Sequence, residues 1–255
     1  MINLFGAQRF NDGDRIEIAG GTVRLKVSGR ARRVSLRLDV ARREVLAIAP
    51  SARRLAEAVA FARDQAAWIA ARVAEMPGRP ALAPGAEIAV LGRPCRLEHE
   101  PGRLRARLVA ASAGAPARLI AGGEEEAYAR SVVRCLTLEA RRALAERTAV
   151  HAAALGQPMP VVSIMDARAR WGSCKPPRAA GFGAAAEVGR IRYSWRLILS
   201  PFEVMDYVAA HECAHLIEAN HSPAFWAVVR GLIGDERPQR AWLKANGAAL
   251  HAFGV

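Results

Sequence analysis

The chain has 255 residues, 52% hydrophobic and 24% charged, a globular composition long enough for one large domain or two modest ones. Its four cysteines (Cys95, Cys135, Cys174, Cys213) form no C-x-x-C pair, which argues against a disulfide framework and a zinc ribbon and points to a reducing compartment. No run of about 18 apolar residues occurs and the N-terminus carries no secretory pattern, so the expectation is a cytoplasmic protein with no membrane partner.

The net charge of +13 raises a nucleic-acid partner as a possibility. Only three of the 37 basic residues are lysines, and the excess is diffuse: +7 over 1–80, +3 over 81–160 and +3 over 161–255. Aromatic residues are not interleaved with the arginines as a single-strand-binding groove requires. A solvated basic surface is the simpler reading, with a weak nucleic-acid contact as the alternative.

Residues 15–50 alternate with period two. Ile16, Ile18, Val23, Leu25, Val27, then Val34, Leu36, Leu38, then Val45, Ala47 and Ala49 read as strands, with turns at Gly20–Gly21 and Ser28–Gly29. A single helix is expected from Ala52 to Glu75, because Leu55, Val59, Ala62, Ala66, Ile69 and Val73 make one apolar stripe that Pro77 and Gly78 end. A second β segment is expected over 86–110, with Ile88, Val90 and Leu97 facing inward. The small residues of 111–123 read as a linker. Glu124, Glu125 and Glu126 favour a helix start, and that helix should run to about Ala154 and stop at Gly156. No internal repeat stands out. Strands at 158–165 and 191–195 flank a Gly- and Pro-rich excursion, Lys175 to Gly189, and helices follow. The class expected is α+β, with a β-rich N-terminal region carrying a helix over 1–122, then a helical domain with a small sheet over 123–255.

The chemistry concentrates in residues 200–226, SPFEVMDYVAAHECAHLIEANHSPAFW. Ser200, Pro201 and Glu203 read as a capping box opening a helix at 201 that runs through Ile217. His211 and His215 stand one turn apart and project from one face, a spacing suited to zinc. Glu212 lies beside them as a carboxylate that can accept a proton from an activated water, the H-E-x-x-H arrangement. Asn220 reads as a left-handed terminator, and Ser222–Pro223 as the cap of a new helix, leaving His221 on the corner between them as a third ligand. Three protein ligands and an open position describe a catalytic site for one zinc per chain. The pattern is not that of metzincins, because Glu218 stands where they require glycine.

The run ARWGSC (169–174) followed by YSWRLILSPFEVMDYVAAHECAHLIEANHSPAFW (193–226) resembles the YgjP-like metallopeptidases, relatives of the SprT-like and WLM groups. The close match covers roughly residues 160–250, and the N-terminal β–α pattern is consistent with it. The resemblance implies a zincin-like metallopeptidase domain, a protein or peptide substrate, His211, His215 and His221 on zinc, and Glu212 as the catalytic glutamate. Tyr207, one turn before His211, is a candidate oxyanion donor or simply a half-buried helix tyrosine. Arg168, Arg170 and Trp171 are candidates to flank the cleft, and the nearest strand to pair with an extended peptide. Glu218 is a candidate to support a ligand, and Cys174 reads as an inert packed thiol. The alternative function is a zinc-braced nucleic-acid-associated or adaptor protein without proteolysis.

Overall fold

The alternating segments form strands and the 3.6-period segments form helices, in an α+β arrangement. The computed structural model describes residues 9–39, 42–76, 82–112, 114–167, 170–178 and 187–254. By contacts the chain divides into two units, Met1–Arg79 and Pro80–Val255, each with its own apolar core.

In the first unit, β1 (Arg15–Ile18), β2 (Gly21–Val27), β3 (Ser35–Asp39) and β4 (Glu44–Ala49) make a sheet ordered β1-β2-β4-β3. Strands β2 and β4 are parallel and the other pairs antiparallel. Its inward residues Val23, Leu25, Val45, Ala47 and Ala49 are fully buried. The single helix expected over 52–75 is instead a 3-10 turn (Ala52–Arg54), α1 (Leu55–Asp64) and α2 (Ala66–Ala74). The break falls at Gln65, whose ψ of 22° leaves the helical region. The apolar stripe nevertheless continues across the bend, with Leu55, Val59, Ala62 and Ile69 buried.

The second unit opens with β5 (Glu87–Val90), β6 (Arg93–His99), β7 (Arg107–Val109) and β8 (Ala117–Ala121), ordered β5-β6-β8-β7. Strand β8 lies within the stretch that composition marks as a linker, because Leu119 and Ala121 point into the core while its backbone bonds to both neighbours.

This sheet repeats the order and register of the first. Adding 72 to the numbers of β1 and β2 gives β5 and β6, and the parallel pair Val23–Val45 becomes Cys95–Ala117. The antiparallel pair Ser35–Ile48 likewise becomes Arg107–Ile120. Loop hydrogen bonds recur as well: Gly13 N to Leu25 O (2.9 Å) matches Gly85 N to Leu97 O (2.8 Å), and Ser28 N to Ala49 O matches Glu100 N to Ala121 O, both 2.9 Å. Both hairpins turn through two residues of positive φ, Ala19–Gly20 (50° and 76°) and Leu91–Gly92 (49° and 76°), the conformation that matches strand twist in a two-residue loop. One residue is then inserted. The buried helix positions Leu55, Ala58, Val59 and Ala62 match Tyr128, Ser131, Val132 and Cys135, 73 further on.

The second helix of this plan, α3 (Glu125–Ala154), has 30 residues and ends before Gly156 as expected. Its length lets it contact β8, β9 and α4 in turn. A second, three-stranded sheet, ordered β10-β11-β9, comprises β9 (Val161–Met165), β10 (Gly172–Lys175) and β11 (Arg190–Ser194). Three helices complete the unit: α4 (Phe202–Ala214), α5 (Pro223–Ile233) and α6 (Arg237–His251).

Candidate metal centre

Helix α4 carries His211, with His215 capping its C-terminal end, and is buried on nearly all sides: Val204, Met205, Tyr207, Val208, Ala209, Ala210, Glu212, Cys213 and Ala214 are all buried. Such a helix belongs to the interior, and two imidazoles in it need partners. It is shorter than expected at both ends. The capping box does not form, because Ser200 closes the preceding 3-10 turn (Trp195–Leu199) by donating its hydroxyl to Leu197 O at 2.7 Å. At the other end the chain tightens at His215, through Leu216 N to Cys213 O and Ile217 N to Ala214 O, rather than through a left-handed Asn220. Ser222 does cap α5, accepting from Phe225 N at 3.2 Å with Pro223 at the first position.

Neighbouring elements fix the position of α4. From α3, Arg147 and His151 both bond to Asp206, at 2.7 and 2.6 Å, and Thr148 bonds to Tyr193 of β11 at 2.9 Å. Burial raises the Asp206 carboxyl, but the hydrogen bonds and charges of His151 and Arg147 outweigh it and hold the group below its ordinary range. The β5–β6 hairpin tip meets the start of α4: Leu91 N donates to Ile198 O at 2.8 Å, and Gly92 sits against Pro201.

The ligand atoms of His211, His215 and His221 all lie within 4.8 Å of one another. Nε2 of His221 faces Nε2 of His211 at 3.1 Å. Nitrogens around a tetrahedral zinc stand about 3.4 Å apart, so small side-chain rotations close this set on one ion. The donor chemistry fits as well. Nδ1 of His215 lies 2.9 Å from the carbonyl of Glu218, so in the neutral ring it carries the proton and Nε2 keeps its lone pair. The group of Glu218 that meets His215 is its backbone carbonyl, not its carboxylate. Burial, reinforced by the other two histidines and Arg240, pushes His211 down to about 3, which leaves it an uncharged donor at neutral pH.

Phe225 of α5, fully buried, lies beneath the cluster with its ring centroid 4.5–4.9 Å from all three imidazoles. Trp226 stands 5.9 Å from His211 and His221, and the Arg240 guanidinium stacks on it at 4.5 Å. This apolar shell excludes water from one side of the site, which strengthens ligand bonds.

Glu212 is buried beside the cluster, and burial raises its carboxyl to about 7, the range in which a carboxylate exchanges protons near neutrality. Its side chain lies on the backbone of β10. A Cβ on Gly172 would come within 2.3 Å of Glu212 Oε1 and 2.6 Å of its Cδ. Within the W-G-S-C element, Gly172 is therefore the residue that makes room for the carboxylate. Trp171 stacks on His251, with centroids 4.1 Å apart and planes at 16°. Tyr207 packs edge-on to His211 at 5.8 Å, and burial raises its hydroxyl to about 12. Tyr207 and Trp171 border a cavity adjoining His211 and Glu212; Arg170 is exposed and outside its lining, and Arg168 lies outside the described residues. Cys174 stays out of the histidine cluster, its thiol raised to about 12 by burial and then by Glu212.

Three converging imidazoles beside a buried carboxylate make a candidate centre of the hydrolytic metal type. The sequence model of the YgjP-like metallopeptidase domain matches residues 32–246, and the chain belongs to that family. Membership in a metallopeptidase family implies a bound metal and a protein or peptide substrate. No curated protein and no solved structure matches the chain. Among the described residues no helix is long and apolar enough to cross a membrane.

Proposed function

We propose that the chain is a zinc metallopeptidase in which His211, His215 and His221 hold the metal and Glu212 is the general base. The observation that carries this reading is the meeting of the three imidazoles next to one buried carboxylate, on a chain of a metallopeptidase family. Zinc bound there would supply a Lewis acid that activates water and polarises the scissile carbonyl. Glu212 accepts the proton of the attacking water and delivers it to the leaving amide nitrogen. Gly172 keeps that carboxylate seated against β10, and the Glu218 carbonyl keeps His215 in the tautomer that ligates through Nε2. The Tyr207 hydroxyl donates toward the oxyanion of the tetrahedral stage. β10 stands at the edge of its sheet, so an extended peptide can pair with it and bring its carbonyl past Glu212. The four free thiols suit a cytoplasmic setting.

Metal content tests the ligand set. Wild type should carry about one zinc per chain and His221→Ala far less; equal content in the two would remove His221 from it. Glu212→Gln should keep its zinc and lose at least ~100-fold in peptide hydrolysis, within the range for loss of a general base. Undiminished hydrolysis in that variant would refute the role given to Glu212.

A further inference from the structure

Beside the histidine cluster lies a cavity of about 270 Å³ lined by Trp171, Gly172, Tyr207, Val208, His211, Glu212 and Leu243. Its residues come from three places: Gly172 at the start of β10 with Trp171 just before it, four residues of α4, and Leu243 of α6. The cavity shares His211 and Glu212 with the candidate metal centre, so whatever fills it lies next to the reacting bond.

Its apolar wall is the indole of Trp171 with the side chains of Val208 and Leu243, while Tyr207, His211 and Glu212 supply the polar share. Among the described residues no lysine or arginine lines it, and Glu212 is the one carboxylate there. A substrate carboxylate placed there would meet Glu212 with like charge. A substrate cation would pair with Glu212 and occupy the group that must accept a proton. A neutral apolar side chain avoids both conflicts and gains from leaving water. The Trp171 wall is also held in place, with His251 stacked on it and Gly247 so close that a Cβ would approach Trp171 Cζ2 to 3.1 Å. A pocket whose wall is fixed before substrate arrives discriminates by size.

We propose that this cavity receives a large apolar side chain, of the size of leucine, methionine or phenylalanine, from the residue flanking the scissile bond, with Trp171 and Leu243 setting the preference. The inference rests on the peptidase reading above. Two measurements separate their fates, using acetylated heptapeptides of alanine and serine with a single phenylalanine stepped through the positions, and the all-alanine-and-serine parent. Binding is read by calorimetry on zinc-loaded Glu212→Gln, and turnover on zinc-loaded wild type with the cleaved bonds identified by mass spectrometry. The expected result is binding about tenfold tighter for at least one phenylalanine peptide than for the parent, and cleavage next to that phenylalanine. In Leu243→Trp, which narrows the cavity, the preference should fall to about twofold or less with zinc content unchanged. Discrimination in binding without turnover would overturn the hydrolytic reading and leave the pocket standing. Turnover without discrimination, or a preference unmoved by Leu243→Trp, would overturn the pocket alone. Neither binding preference nor turnover would overturn both.

Discussion

The two four-stranded sheets follow one plan and do different work. In the first unit the hairpin tip Ala19–Gly20 is exposed, and a Cβ on Gly20 would meet nothing within 4 Å. In the second, the matching tip Leu91–Gly92 bonds to Ile198 and touches Pro201, where α4 begins. The matching helices differ likewise: α1 stops after 10 residues, whereas α3 runs for 30 and reaches Asp206 through Arg147 and His151. The same sheet-and-helix plan thus becomes a brace for the helix of the candidate metal centre by lengthening its own helix and engaging its turn, while its register stays fixed. A brace of this kind supplies what a metal site needs, side chains held on a rigid element.

Three glycines give that contrast an experimental edge. The largest effect belongs to Gly172, whose missing Cβ gives Glu212 its place. Its φ lies outside the positive region, so alanine fits the backbone and only the carboxylate has to move. Gly172→Ala should fold, keep its zinc and lose about 100-fold in peptide hydrolysis, the scale for displacing a catalytic group by about 1 Å. Hydrolysis within about threefold of wild type, with zinc at one per chain, would show that Glu212 is not positioned by this contact.

Gly92 and Gly20 come next, and they test the comparison directly. Both have φ of 76°, so alanine strains either turn by about 1 kcal/mol. At Gly92 the new methyl would also approach Pro201 Cα to 3.3 Å, while at Gly20 it enters open space. Gly92→Ala should therefore lower stability by about 2 kcal/mol and slow hydrolysis severalfold, through the start of α4. Gly20→Ala should show the strain alone and unchanged hydrolysis. Urea unfolding and peptide turnover measured on the pair decide the matter: equal losses of turnover would mean that the second tip is no brace.

Much of the centre is legible in sequence because it is local. His211, Glu212, His215 and His221 fall within eleven residues, so one helix places the first three and the short connection to α5 returns His221 to them. What escapes is what only the tertiary fold brings together. Leu243 and Arg240 come from α6 with no spacing relation to the histidines, and the spacing of Phe225 does not show that three imidazoles stand on it. The repeat escapes for another reason: burial recurs at offset 72, whereas residue identity does so at few places, such as Leu25 and Leu97 or Gly20 and Gly92. Val23 gives way to Cys95, Ala47 to Leu119 and, on the helix, Leu55 to Tyr128, each pair buried in its own core. The stretch around β8 reads as a linker because Ala117, Ala121 and the Gly122–Gly123 pair mask one strand's worth of alternation. Ser200 looks like a cap because its other partner, Leu197 O, becomes available only when the preceding residues coil into a 3-10 turn.

Acid supplies the last test, and it sets one carboxylate of each unit side by side. On the outer face of the first sheet Glu44 bonds to Arg15 at 2.8 Å and to Arg24 at 2.9 Å. Burial raises its carboxyl, but the two arginines outweigh that and hold it below its ordinary 4.5. In the second unit Asp206 lies below its ordinary 3.8 for the parallel reason, with His151 and Arg147 in the place of the two arginines. A carboxylate whose folded value is depressed stabilises the fold fully above its unfolded value and loses that contribution as pH falls through the folded one. Both groups should thus leave stability flat above about pH 5 and erode it below about pH 4. Asp206→Asn should remove part of the erosion and also, by stranding His151 and Arg147 against α4, cost about 3 kcal/mol at pH 7 and lower zinc affinity. Glu44→Gln should remove its own part of the erosion with zinc affinity untouched. Unfolding midpoints between pH 3 and 7, with zinc titrations at pH 7, distinguish the two. A loss of zinc affinity in Glu44→Gln equal to that in Asp206→Asn would mean that the first sheet supports the centre too, and the division of labour between the two copies would have to be given up.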